Sequence, residues 1–187
     1  VGLEQGFWRG RGRARIAYYN NEFHDLIEYV SKSVLPQLGI PVEVANATPF
    51  GAYVNSQSFK AQGVELSGDA VAGPVRITAS YQYLDATVTT SLSDGALSPA
   101  FNPTFPDVPI GAFSPLVGAR PFRRPTNSGN VAVIVNRGAA TIGFSAFFSG
   151  KQDDSTLLSD EFFGNSMLLP NNDMDAAYQK VDLSGGY

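Results

Sequence analysis

Residues Val75 to Tyr83 read VRITASYQY, and the fold turns on how this stretch is understood. Val75, Ile77, Ala79, Tyr81 and Tyr83 are apolar or aromatic, whereas Arg76, Thr78, Ser80 and Gln82 are polar. Strict alternation describes a β-strand with one oily and one wet face, because successive side chains leave opposite sides of the pleat. β-Branched and aromatic residues suit such a half-covered surface. The open question is whether the oily face meets a packed core or lipid.

Working outward, Gly73-Pro74 makes a two-residue turn to another alternating run, Gln57 to Ala72. There Val64, Leu66 and Ala70 oppose Glu65, Ser67 and Asp69, so the two runs are predicted to pair as a hairpin. Beyond about Thr90, Ser91 to Gly129 reads as a long loop with seven prolines. Asn130 to Arg137 carries Val131, Val133 and Val135 on one face. Gly138-Ala139 then turns it into Thr141 to Ser149, where Ile142, Phe144, Ala146 and Phe148 share a face. An acidic, Asn-rich loop from about Asp153 to Asp175 precedes a last strand, Tyr178 to Tyr187. Toward the start, Val1 to Trp8 is a short strand candidate and Arg9-Gly10-Arg11-Gly12 a tight turn. Ala14 to Ile27 is a Tyr-rich strand of ambiguous parity. Ser31 to Ala52, broken by Pro36, Gly39, Pro41, Pro49 and Gly51, reads as a loop.

Short and long connections therefore alternate, which puts all short turns at one end of the strands and all long loops at the other. A soluble sandwich scatters loop lengths, whereas outer-membrane barrels sort them this way. Composition agrees. Hydrophobic residues are 43% of the chain and charged residues only 16%, against a usual ~25%, with 19 glycines. The polar strand faces are expected to carry Thr, Ser, Gly, Asn and Gln with few charges, as suits a barrel lumen. Tyr81, Tyr83 and Phe148 near the long-loop ends, and Trp8 beside a short turn, stand where aromatic girdles belong. No apolar run reaches the roughly 18 residues of a transmembrane helix. The expected fold is all-β: an antiparallel meander forming part of a transmembrane outer-membrane β-barrel. About seven strands are present, so the barrel is incomplete.

Five segments carry a family resemblance. YYNNEFHDLIEYV (Tyr18 to Val30) resembles a strand ending in Phe/Tyr-x-Asn-x-x-x-Asp-Leu-Ile, and NSQSFKAQGVELSGDA (Asn55 to Ala70) a Gly-x-Glu strand through Gly63, Val64 and Glu65. ASYQYLDA (Ala79 to Ala86), Arg123-Arg124-Pro125 and YQKVDLSGGY (Tyr178 to Tyr187) follow in matching order. Together they resemble the barrel of TonB-dependent outer-membrane receptors, with a flavour of the vitamin B12 transporter-like branch in Asp25-Leu26-Ile27-Glu28-Tyr29. The resemblance implies a bacterial outer-membrane location and a barrel of about 22 strands with a plugged lumen. Its implied partners are a small-molecule nutrient or metal chelate, outer-membrane lipid, and the TonB system through a plug domain. Val1 to Trp8 has no signal-peptide character, and neither plug, TonB box nor final barrel strands are recognised. Residues 1–187 are therefore expected to be an internal, partial barrel domain near the receptor's C-terminal end. A passive porin-like channel and a soluble all-β carbohydrate-binding or adhesive module are the alternatives.

For chemistry, His24 beside Asp25 and the pair Asp153-Asp154 suggest a barrel protease, but the pairs lie four strands apart and share no substrate position. Catalysis is not expected. Ligand-binding candidates on the outer loops and rim are His24, Arg120, Arg123, Asp153 and Asp154. Asp153, Asp154, Asp160, Glu161, Asp173 and Asp175 form an oxygen-rich loop without EF-hand spacing, so a solvated acidic loop is preferred to an ion site. No cofactor or metal is expected, and there is no cysteine to supply a thiolate. Net charge of −4 and pI near 4.9 argue against nucleic acid despite Arg9, Arg11, Arg13 and Arg15.

Overall fold

In the computed structural model, the described residues are 1–97, 100–101, 107, 109–112, 114–155 and 171–187. Seven strands form one antiparallel sheet: β1 (Gly2–Phe7), β2 (Gly12–Ser31), β3 (Gly51–Ala72), β4 (Val75–Thr90), β7 (Asn127–Arg137), β8 (Ala140–Ser149) and β9 (Tyr178–Gly186). They pair in chain order, β1-β2-β3-β4-β7-β8-β9, and the sheet does not close, since β1 and β9 are its edges. A two-stranded piece, β5 (Ala100–Phe101) with β6 (Pro109–Gly111), lies inside the longest loop. The meander expected from the turn chemistry is therefore present. Gly73 and Gly138 adopt φ of 57° and 61°, and the registers Ala72↔Val75 and Arg137↔Ala140 leave two-residue turns. Glycine at the first central position supplies the positive φ that a type II′ hairpin needs.

Strand boundaries differ from the sequence reading mainly at the loop end. β2 runs on to Ser31 and β3 begins at Gly51, so part of the expected loop is paired strand. Pro49 and Gly51 only mark where pairing starts. Between β2 and β3 lie a 3₁₀ turn, Leu35–Leu38, and a short helix α1, Val42–Ala47. β7 begins at Asn127, three residues early, and the preceding loop holds a helical turn α2, Asp94–Leu97. β2, β3 and β4 have 20, 22 and 16 residues, beyond the roughly 9–11 that a tilted membrane strand needs. β7, β8 and β9, with 11, 10 and 9, match that length. The three longest strands thus project past any bilayer on the long-loop side.

Register shows which residues share a face. The oily face of β4 continues on both sides: Ile77 sits opposite Ala70 and Val133, Val133 opposite Phe144, and Phe144 opposite Leu183. Two rows toward the loops, Tyr81 joins Leu66, Ile16 and Leu3. The parity of β2 is thereby settled, with Ile16 and Tyr18 on the oily face and Ala17 and Tyr19 on the other. The apolar band stops abruptly above the row Tyr18, Val64, Tyr83. In the next row Asn20 meets Gln62, whose Nε2 donates to Asp85 Oδ2 at 2.8 Å. At the turn end the band closes on Phe7 and Trp8, whose rings meet edge to face at 4.9 Å.

Nothing among the described residues covers this face. Ile77 is 43% exposed, Ile142 56% and Leu183 78%. The well-buried apolar side chains lie elsewhere, at the loop end: Val30, Val34, Leu35 and Ala45 pack together, and Val88, Ala96 and Ala112 are also enclosed. A soluble sandwich requires a second sheet on the oily face, and the seven strands form a single layer. No helix of the described residues is long and apolar enough to cross a membrane, which does not bear on crossing by strands.

The opposite face is polar, as expected, but the expectation of few charges is corrected. It carries Glu4, Arg13, Arg15, Glu65, Asp69, Arg76, Lys180 and Asp182. Most have a neighbour of opposite sign, so the charge is balanced within the wall. Arg13 Nε donates to Asp69 Oδ1 at 3.0 Å, its Nη1 lies 3.8 Å from Glu4, and Lys180 lies 3.3 Å from Asp182. Gly63 belongs to this face too. A Cβ there would collide with the Tyr83 carbonyl and lie 2.6 Å from the Tyr19 hydroxyl. That hydroxyl accepts from Gln82 Nε2 at 3.0 Å. Gly63→Ala is expected to lower unfolding stability by about 1–3 kcal/mol through this overpacking. Loss of the heat-modifiable band at lower temperature in gel electrophoresis would register it, and an unchanged transition would contradict it.

Candidate functional site

The long loops converge at one end of the sheet, held by two polar tie points. The first is Glu28, a carboxylate only 6% exposed near the end of β2. It reaches that depth because β2 bulges between Phe23 and Ile27, where Asp25 takes φ of 57°. Aspartate tolerates that left-handed conformation better than most residues. Glu28 accepts from the hydroxyls of Ser56 and Ser91 and, at 2.8 Å, from the Leu92 N–H. The loop leaving β4 is thus pinned onto the β2–β3 hairpin. Nearby, Ser31 donates to Asp94, and Ser33 does so at 3.4 Å.

The second tie point joins the loop before β7 to the loop after β8. Arg120 Nη2 lies 2.5 Å from Asp153 Oδ1, 2.8 Å from Asp173 Oδ1 and 2.9 Å from Asn172 Oδ1. Its Nη1 donates to Thr126 Oγ1 at 3.1 Å. Asp153 is 6% exposed and also accepts the Asp173 N–H at 2.9 Å. Arg123 Nε sits between both Asp154 oxygens at 3.2 and 3.1 Å, and the Arg123 N–H donates to the Asp153 carbonyl at 2.9 Å. Asn171 completes the junction: its Nδ2 donates to the Ala112 carbonyl at 2.7 Å and its Oδ1 accepts the Ala112 N–H at 2.6 Å.

Of the candidates read from sequence, Arg120, Arg123, Asp153 and Asp154 come together here. His24 does not. It lies on β2, 3.9 Å from Glu22, with β3, β4 and β7 between it and β8. At the described ends of the acidic loop, Asp153, Asp154 and Asp173 each face arginine rather than standing free in solvent. Asp160 and Glu161 lie outside the described residues. Among the described residues no group of three or more His, Asp or Glu is placed to hold a metal ion. Glu28, Ser91, Asn171 and Asn172 were not singled out by sequence. Glu28 had a faint signal, as an acid set in the otherwise apolar run Leu26 to Val30.

The junction is electrostatic, so it should respond to acid. Burial pushes the Asp154 carboxyl up, but Arg123 and the Ser155 N–H outweigh it and leave the group below its ordinary value. Arg120 likewise lowers Asp173. For a carboxylate with a depressed folded pKa, the stabilisation is full above the unfolded value of about 3.9 and is lost as pH falls from there through the folded value. Spin labels at Val117→Cys and Ala176→Cys, on either side of the junction, should give one narrow distance from neutral pH to about pH 4. The distribution should broaden only below that. Broadening between neutral pH and about 5 would contradict the assignment to these carboxylates.

The full length of the chain, residues 1–187, matches the protein-family model described as "TonB dependent receptor-like, beta-barrel". No curated protein shows significant similarity to the chain.

Proposed function

The chain belongs to the TonB dependent receptor-like β-barrel family, and we propose that its seven strands are one arc of an outer-membrane barrel that imports a scarce nutrient. The oily face meets lipid, the charged polar face lines the lumen, and the tied loops face the cell exterior. The observation that carries this reading is the uncovered apolar band, bounded by Tyr18 and Tyr83 at one height and by Phe7 and Trp8 at the other. Water would make such a face costly, whereas hydrocarbon between two aromatic belts is its natural surrounding. The unpaired edges β1 and β9 are then completed by strands supplied from elsewhere in the protein, since an open edge in lipid leaves backbone groups unsatisfied.

In this reading the cargo is a small molecule or metal chelate, such as a siderophore, cobalamin or a similar nutrient. Uptake is driven by the TonB system through a plug domain, and no catalytic step is assigned. Cobalamin is suggested mainly by the run Asp25 to Tyr29. Ligand is met at the loop end by His24 and Arg123, both largely exposed, while Arg120, Asp153 and Asp154 set where Arg123 stands. Uptake of labelled cobalamin and of a panel of ferric chelates by cells with and without TonB tests the proposal. Uptake lost without TonB is the expected result. TonB-independent conduction of small solutes would favour a passive channel instead.

A further inference from the structure

At the turn end, opposite the tied loops, lies a feature that nutrient uptake does not use. Phe7 falls on the oily face, in register with Gly12, Ala70 and Ile77, and Trp8 leans on it, 63% exposed. Trp8 and Arg9 both hold positive φ, 53° and 57°, so the turn presents these side chains in a fixed, unusual backbone. Arg9 and Arg11 follow directly. Arg137 ends β7 at the next outward position after Val131, Val133 and Val135, beside the Gly138 turn. Among the described residues none of Arg9, Arg11 and Arg137 is ion-paired, in contrast to Arg13, Arg120 and Arg123. The chain is acidic overall, yet the three short turns carry no acid of their own.

Resting on the reading that the oily face meets lipid, we infer that this turn-side rim binds the headgroup phosphate of anionic phospholipid in the adjoining leaflet. Guanidinium groups pair with phosphate through charge-assisted, often bidentate hydrogen bonds. Indole and phenyl rings anchor at the same height, between headgroup and acyl chain. The placement also selects the occupant. Phe7 and Arg137 share the lipid-facing side of the sheet, which a protein in the periplasm does not reach. Each basic residue near an anionic leaflet contributes enough attraction for about a fivefold preference.

The test uses the intact receptor in bilayers, with any other cysteine replaced and a fluorophore on Gln5→Cys, which shares the outward face of β1 with Phe7. Quenching by brominated phosphatidylglycerol is compared with quenching by brominated phosphatidylcholine. The parent is expected to favour phosphatidylglycerol several-fold. Arg9→Gln/Arg11→Gln should bring the ratio close to one, Arg9→Lys/Arg11→Lys should keep most of it, and Arg124→Gln at the opposite end should leave it unchanged. Equal quenching by the two lipids in a correctly assembled parent would overturn this inference and leave the barrel intact. A preference that survives Arg9→Gln/Arg11→Gln would overturn it as well. A receptor that does not insert into bilayers at all would overturn the barrel reading together with it.

Discussion

Val131→Arg is expected to cost about 2–4 kcal/mol of folding stability in the membrane, and its neighbour Ala132→Arg little. The two residues are adjacent on β7 and point to opposite faces at nearly one depth. Val131 stands between Ala79 and Ala146 in the middle row of the apolar band, where an inserted guanidinium meets hydrocarbon. Ala132 stands between Thr78 and Ser145 on the polar face, one strand pair away from Asp69. Ile77 lies one row nearer the turns, because the band on β4 spans Val75 to Tyr83 and centres on Ala79. Ile77→Arg should therefore cost less than Val131→Arg, since the penalty falls toward the interface. This order is set by depth. Burial alone would also make Ile77→Arg the milder change, since Ile77 is the more exposed, so the deciding comparison is Val131 with Ala132, both only partly covered. Folded yield of the intact receptor in the outer membrane provides the readout. Equal tolerance of Val131→Arg and Ala132→Arg would contradict a lipid-facing band.

Arg120→Met should open the loops with a local cost of about 3–5 kcal/mol, whereas Arg123→Met should cost about 1 kcal/mol or less. Both arginines pair with aspartate in one junction, and exposure separates them. The Asp153 side chain is 8% exposed and would be left as an enclosed charge without its cation. The Arg123 side chain is 72% exposed, so water already screens its pair with Asp154. Protease added to whole cells should cut within residues 112–126 of the Arg120→Met receptor and spare the parent. Replacing both partners, Arg120→Met/Asp153→Leu, should recover part of the protection, because no charge is then stranded. The barrel itself should keep its thermal transition, as the loops open separately from the strands. Equal cleavage of the two single variants would show that burial at Asp153 does not matter.

The sheet was legible because its signals are local. Val75 to Tyr83 alternates without exception, and glycine at positions 73 and 138 sets the turn geometry, so pairing order followed from adjacent residues. The loop-end extension of β2 and β3 was hidden because Asp25 interrupts the alternation at a bulge. Beyond it, the period of Leu26 to Ser31 is shifted and no longer reads as the same strand. Arg120 and Arg123 were visible as basic residues in a loop, and Asp153-Asp154 as an acidic pair. Their meeting depends on how two loops fold over thirty residues apart in sequence, which no local period encodes. Glu28 was legible only as one letter of a motif, since its partners Ser56, Ser91 and Leu92 lie on other elements. The charges of the lumen wall were in plain sight at Arg13, Glu65 and Asp69. Only register shows that Arg13 stands directly opposite Asp69.

The claim on which everything else depends is that odd-numbered residues of β4 face lipid and even-numbered ones face the lumen. The chain has no cysteine, so a spin label can be walked along positions 75–83 of the intact receptor in bilayers. Accessibility to oxygen, which concentrates in hydrocarbon, is then compared with accessibility to a polar nickel chelate. Oxygen exposure should peak at Val75, Ile77, Ala79 and Tyr81, and chelate exposure at Arg76, Thr78, Ser80 and Gln82. A profile without that two-residue period, or odd positions more open to the chelate than even ones, would contradict the account.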